Sequence, residues 1–347
     1  MKLTKEQLKL IELMINDGYI NCQKHPNVDL WIYNYSNKTQ FDKMWNEATI
    51  MCRGLILDGD NNIVALPFKK FFNYGEDINL KIPNEEPIIS EKIDGSLGIL
   101  YWIKDTPYIA TRGSFISEQA VWATKWLHKY LENGGECMNK NATMLFEIIY
   151  PENRIVVDYN GYEGLIHLAQ IDLNTGKQII NPYIPKGIKS AKIVKNQDLE
   201  TLKNIKIDNQ EGFVIFYPKS ELRLKVKFEE YVRLHRLITG VNERRIWDIL
   251  RNNQDINELL DRVPDEFYNW VKKIIDDLKH TYARIHKEAI AVSLSVQNLD
   301  TRKEQAEIIK KYKYPSVVFS LLDGKNPNQI IWKLLKPKSN KPFKIEI

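Results

Sequence analysis

A chain of 347 residues, 43% hydrophobic and 27% charged, is long enough for two hydrophobic cores and too evenly polar for a disordered or membrane protein. No apolar run approaches the roughly 18 residues that a bilayer span requires, and Cys22, Cys52 and Cys137 lack the spacing of a zinc site or a disulfide framework. The net charge of +5 is uneven: residues 301–347 hold eleven Lys or Arg against four acids, a solvated face or a polyanion footprint.

The chain opens with MKLTKEQLKLIELMINDGYI, where charges are threaded through the apolar residues. This predicts an amphipathic helix rather than a signal peptide, and hence a cytoplasmic protein. Thr4 and Gln7 have capping-box spacing, Leu8, Ile11 and Ile15 follow on one face, and Gly18 is placed as a stop. From about residue 28 to 230 short β-rich runs take over: RGLILD, IVALPF, LGILYWI, YIATRG, TMLFEIIY, LIHLAQID, EGFVIFY and LRLKVKF. One helix interrupts them, SEQAVWATKWLHKYLENGG, with a Ser cap and a Gly-Gly end. Strands arriving as hairpins with few helices between them predict an α+β domain on antiparallel sheets. Beyond about Leu234 helical periodicity dominates, as in Phe267, Trp270, Val271, Ile274, Ile275 and Leu278 behind Pro264 and Asp265. The expected division is 1–236 for the β-rich part and 237–347 for an all-helical domain.

Three segments carry chemistry. In SEKIDGSLGIL, Lys92 stands between Glu91 and Asp94 at the lip of a strand, where it is either a solvated lysine or a nucleophile. A lysine attacks only as the free amine, which needs burial, a metal or neighbouring cations. LRLKVKF supplies cations: at a period of two, Leu222, Leu224, Val226 and Phe228 point one way and Arg223, Lys225 and Lys227 the other. Alone, that pattern fits a solvated edge strand equally well. Glu147 in TMLFEIIY and Glu211 at the head of EGFVIFY are carboxylates in apolar strands, which must be exposed, paired or metal-bound.

Taken in order, Lys92-Ile93-Asp94-Gly95, Glu147, Glu211-Gly212 and Lys225-Val226-Lys227 resemble the motifs of the covalent nucleotidyltransferases, the nucleic acid ligases and messenger RNA capping enzymes. The flanks RGLILD, PFKKFFNYGE, TRGSFISEQA, FEIIYPENRIVVDY and KVKFEEYVRLH are similar to those of the ATP-dependent RNA ligase 1 family, bacteriophage single-strand ligases that reseal broken transfer RNA.

That resemblance implies an antiparallel-sheet adenylyltransferase domain followed by a helical domain that selects RNA. It also implies three steps: Lys92 takes AMP from ATP, AMP passes to an RNA 5′-phosphate, and the 3′-hydroxyl displaces AMP. By the same token Lys225 and Lys227 face the α-phosphate and activate Lys92. Arg53 and Lys70 hold the polyphosphate, Tyr33 and Glu91 belong to the ATP site, and Gly95 leaves room for backbone beside the nucleotide. Glu147 meets the ribose, Glu211 supports a divalent metal, and Tyr231 is an essential tyrosine. Arg112 in TRGS departs from the usual lysine, and Asp255 is the nearest candidate for a second metal site.

Magnesium, with manganese as an alternative, accompanies ATP. The implied partner is RNA, as a single strand or a nicked stem-loop such as transfer RNA, with no membrane. An end-healing kinase and phosphatase, a monomeric state and a phage host cytoplasm complete the expectation. Rival readings are a DNA ligase or capping enzyme, and a non-catalytic RNA-binding relative.

Overall fold

The computed structural model describes residues 1–76, 80–195, 201–202, 205, 207–256, 259 and 265–338. It divides into two compact units, 1–232 and 233–346.

In the first unit, helix α1 (Lys5–Asn16) starts at Thr4, whose hydroxyl accepts from the Gln7 N–H while the Gln7 side chain accepts from the Thr4 N–H. An antiparallel sheet follows, made of β1 (Ile20–Lys24), β2 (Leu30–Tyr35), β3 (Arg53–Asp58) and β4 (Ile63–Ala65) in that order. Two single-turn helices, α2 (Asn37–Phe41) and α3 (Glu47–Met51), link β2 to β3. The β2–β3 register shifts between Tyr33 and Asn34.

Two five-stranded sheets complete the unit. One joins β7 (Ser96–Ile103), β8 (Thr106–Ala110), β9 (Ala142–Ile149), β10 (Gly164–Asp172) and β11 (Lys189–Ser190) in the order β11-β10-β9-β7-β8. The other joins β5 (Phe72–Asn73), β6 (Ile88–Lys92), β12 (Ile193–Val194), β13 (Gly212–Tyr217) and β14 (Leu222–Lys227) in the order β12-β6-β13-β14-β5. All pairings are antiparallel except the short β10–β11 and β14–β5 contacts. The expected α+β class built on antiparallel sheets is therefore what the chain forms.

Helix α4 (Glu118–Glu132), capped by Ser117, buries Ala120, Ala123 and Leu127. Ala123 and Leu127 belong to a core that also holds Leu100, Phe146 and Leu165 of the first five-stranded sheet. That leaves the sheet's other face to meet β6, β13 and β14 across a cleft.

β14 alternates as its sequence predicts, with Leu224 and Val226 buried and Arg223, Lys225 and Lys227 half-buried on the opposite face. The strand stops at Lys227 rather than Phe228, and helix α5 (Glu229–Gly240) begins at once, so helical structure starts earlier than the periodicity suggested.

The second unit contains α6 (Glu243–Arg251), α7 (Asp265–Val296), α8 (Arg302–Ile309), α9 (Pro315–Leu322) and α10 (Asn328–Leu334). Its core gathers Ile285, Ala289, Val296, Ile309, Val317, Val318 and Ile331. Trp332, 8% exposed, is a packing residue whose carbonyl accepts from the Trp247 indole at 2.8 Å. The Pro264 start signal for α7, and Lys341 and Lys344 of the basic end, lie outside the described residues. Among the described residues no helix is long and apolar enough to cross a membrane, and all three cysteines are free thiols.

Candidate active site

Lys92 is the last residue of β6, and in the sheet it sits opposite Gly212, which in turn faces Lys227. The residue before that glycine, Glu211, is only 3% exposed and its carboxylate is shared: Oε2 lies 2.7 Å from the Lys92 Nζ and Oε1 2.7 Å from the Lys227 Nζ. Gly212 makes this close row feasible, because at its φ of +149° an added Cβ would stand 1.9 Å from the Val226 carbonyl oxygen. The strand register then lays out two further rows on the same face, Ser90–Val214–Lys225 and Ile88–Phe216–Arg223.

The turn after Lys92 is pinned from beneath. Asp94, 3% exposed, accepts at Oδ2 from the N–H groups of Val156 and Val157 at 2.9 and 3.0 Å, and at Oδ1 from the Tyr231 hydroxyl at 2.7 Å. Tyr231 thus holds the loop that carries the lysine, and its ring lies 5.0 Å from the Lys227 Nζ. Removing the hydroxyl in Tyr231→Phe leaves one buried carboxylate oxygen short of a donor. The expected loss is about 1–3 kcal/mol, read as a lower melting temperature with both Val N–H bonds still in place.

Gly95 serves a purpose other than the one expected. A Cβ there would meet the Ile148 carbonyl oxygen at 2.7 Å and the Glu147 Cγ at 3.0 Å, so the glycine lets this turn press against β9 rather than against a ligand.

Glu147 lines the cleft from β9 and is 9% exposed. Burial pushes its carboxyl up to about 8; Lys92 and Arg53 pull against this, while Glu211 and Asp94 add to it. Lys225 is the mirror case, pushed down to about 8 by burial and then by Lys70, Lys227, Lys92 and Arg53. Arg223, sandwiched between Phe68 and Phe216 with its guanidinium carbon 4.2 and 4.3 Å from the ring centres, falls to about 9 through burial. Its guanidinium donates to the Gln178 Oε1.

These residues border a cleft of about 1050 Å³ between the two five-stranded sheets, with Arg53, Glu91, Lys92, Gly95, Arg112, Glu147 and Arg223 on its walls. Among the described residues four buried side-chain polar atoms lack a hydrogen-bond partner, and three of them line this cleft: Asn34 Oδ1, Arg53 Nη1 and His167 Nε2. Leaving such groups unpaired is costly unless a ligand satisfies them. Arg53 is a buried cation whose pKa burial lowers.

Two expected residues are placed differently. Lys70 has its ammonium 5.7, 5.1 and 5.2 Å from the rings of Tyr35, Trp45 and Phe72, an aromatic cage, and burial lowers its pKa. Tyr33 packs against the core of the small sheet, hydrogen-bonded to Cys22, and burial raises its pKa. It is Tyr35, two residues on, whose hydroxyl accepts from Arg112 at 2.9 Å. Asp255 follows α6 in the other unit. Among the described residues no three His, Cys, Asp or Glu side chains gather into a metal cage.

Arg223, Tyr35, Asn34 and His167 are the cleft residues that sequence reasoning missed. Arg223 alone had a signal, its place in the cation row.

A family model described as RNA ligase matches residues 51–232, just over half of the chain. An RNA ligase of Rhodothermus phage RM378 is 24% identical over 378 residues, covering 85% of each chain. A protein of Autographa californica nuclear polyhedrosis virus, provisionally described as a bifunctional polynucleotide kinase/RNA ligase, is 27% identical over 66% of this chain and 38% of its own length. An archaeal ATP-dependent RNA ligase of known structure is similar at 12% identity and a TM-score of 0.46, over 87% of this chain and 85% of that one. The matched span runs from before Arg53 to beyond Tyr231 and so contains the shared carboxylate, both of its lysines and the buried Glu147; the chain belongs to the RNA ligase family.

Proposed function

We propose that this RNA ligase uses ATP, with Lys92 as the residue that carries AMP. The observation that carries the reading is the Lys92–Glu211–Lys227 arrangement at one end of a cleft whose unpaired groups include a buried arginine. The Lys92 amine, after losing its proton, forms a bond to the α-phosphorus while the bond to pyrophosphate breaks. An oxygen of an RNA 5′-phosphate then takes AMP from the lysine, and a 3′-hydroxyl forms the new phosphodiester as AMP leaves.

Lys225, Lys227, Arg53 and Arg112 supply fixed positive charge for the phosphate oxygens, which is worth most where water is excluded. Glu147 is assigned to the ribose hydroxyls. Lys70 reaches the phosphates only by leaving its aromatic cage.

The donor set suits a magnesium ion of the kind held by one or two carboxylates together with substrate phosphates and water, rather than by a protein cage. Glu211 is the carboxylate placed for it; a divalent ion there would neutralise phosphate charge and compete with both lysines for the same two oxygens.

We further assign RNA selection to the helical unit and its basic end, with broken transfer RNA in a host cytoplasm as the natural setting and a monomer as the working form. The viral relative's provisional pairing of a kinase with a ligase supports coupling to an enzyme that prepares RNA ends.

The test is incubation with α-labelled ATP and magnesium, then denaturing electrophoresis, then presentation of 5′-phosphorylated strands. Label is expected on the protein and afterwards in joined RNA, at a rate about 10-fold or more above that of the matched DNA, since contacts to the 2′-hydroxyl distinguish the two. Equal joining would make it a general ligase, label from GTP alone a capping-type enzyme, and absence of label a binding protein.

A further inference from the structure

The cleft has two unlike ends, and strand order shows why. In one sheet the cations stand on β14, and in the other Arg112 follows β8; these strands lie at the same side of the cleft as Arg53. The opposite side is closed by segment 189–194, which pairs with β10 through β11 and with β6 through β12. There the lining is apolar and neutral, and two isoleucines stay exposed within it, Ile180 at 44% and Ile193 at 57%. A phosphate chain belongs to the first side and a flat apolar ring to the second.

His167 stands on that second side. It is 3% exposed, it adjoins the β-bulge between His167 and Ala169, and its Nε2 is one of the orphaned atoms. Bulges of this kind re-aim a side chain. The other ring nitrogen, Nδ1, lies 3.5 Å from the Ser190 Oγ, while that hydroxyl donates to the His167 carbonyl at 3.4 Å. Both contacts are satisfied together only if Nδ1 carries the proton, because the serine has one hydrogen to give. Nε2 is then a bare acceptor facing the cleft. Burial, which pushes the ring down to about 4, keeps it neutral and accepting at physiological pH.

We infer that His167 selects the base of the nucleotide, its Nε2 accepting a hydrogen bond from the exocyclic amine of adenine. Guanine presents a carbonyl oxygen at the corresponding position, which would set two acceptors against each other. The inference rests on the ATP reading above and adds the residue that would distinguish ATP from other purine nucleotides.

The experiment compares ATP with purine riboside triphosphate, which lacks only the amine, by intact-protein mass spectrometry of the covalent nucleotide. The parent protein is expected to react with ATP about 10-fold faster in kcat/KM than with the analogue, the worth of one buried hydrogen bond. His167→Phe, which keeps ring volume and loses the acceptor, should bring the two rates together by slowing ATP. Because the parent comparison needs no substitution, poor folding of the variant would not rescue the idea. A parent that uses both nucleotides equally, or a folded variant that keeps the full preference, overturns it. A parent that takes up no nucleotide overturns the ATP reading along with it.

Discussion

Lys92→Ala is expected to reduce covalent nucleotide on the protein to background, a loss of at least about 1000-fold, as when the nucleophile of a covalent mechanism is removed. The structure separates this outcome from unfolding. The Lys92 side chain is 20% exposed, and the carboxylate it would leave behind keeps its second ammonium, Lys227 at 2.7 Å. No buried charge is stranded, so the melting temperature should move little. Lys92→Arg sharpens the result. A guanidinium can retain the contact to Glu211 but does not give up its proton at any working pH, so this variant should fold normally and also carry no nucleotide. Labelling of either variant at the parent's rate would place the nucleophile elsewhere.

The second large effect concerns Glu147, and it reverses the usual direction. The carboxyl titrates at about 8 in the folded protein against an ordinary value of 4.5. Between those two pH values the folded chain binds a proton that the unfolded chain has lost. Its contribution to stability therefore falls as pH rises through this range. Lys225 acts oppositely above pH 8: folded, it loses its proton at about 8, and unfolded, at 10.5, so stability regains ground as pH climbs between them.

Glu147→Gln should accordingly raise the stability of the nucleotide-free protein at pH 8 by a few kcal/mol, order of magnitude, and flatten the fall between pH 5 and 8. The same variant should slow adenylation about 10- to 100-fold, the worth of a charged hydrogen bond to the ribose. Melting curves across pH, with and without ATP, check both halves. Equal slopes for parent and variant would remove the buried acid from the account. A gain in stability at the cost of activity is what a strained functional position gives.

Much of this site could be read from residue order because strand periodicity is strict. Lys225 and Lys227 are two apart, so they share a face, and the apolar residues between them fix which face is core. Lys92, Glu211 and Lys227 could be grouped by their order, yet their distances depend on Gly212 and on the register of β6 against β13. Tyr33 was misplaced because the β2–β3 register shifts one residue beyond it, and nothing in WIYNYS announces a bulge. His167 sits in LIHLAQID like any core histidine. What marks it is the missing partner of one nitrogen, which is a property of the folded neighbours and leaves no trace in the local sequence. Lys70 was assigned to phosphate by its flanks, and the rings that cage it come from three separated segments.

β14 has a consequence for how this protein tolerates genetic change. Its cleft-facing cations and its core-facing Leu224 and Val226 occupy alternate positions of one six-residue strand. A point substitution can remove one function and spare the other. Inserting or deleting a single codon within it cannot: the slip would send the lysines into the core and the aliphatic residues into the nucleotide cleft at once. Length variation in this strand should therefore be lethal to fold and catalysis together, whereas its individual letters remain open to change.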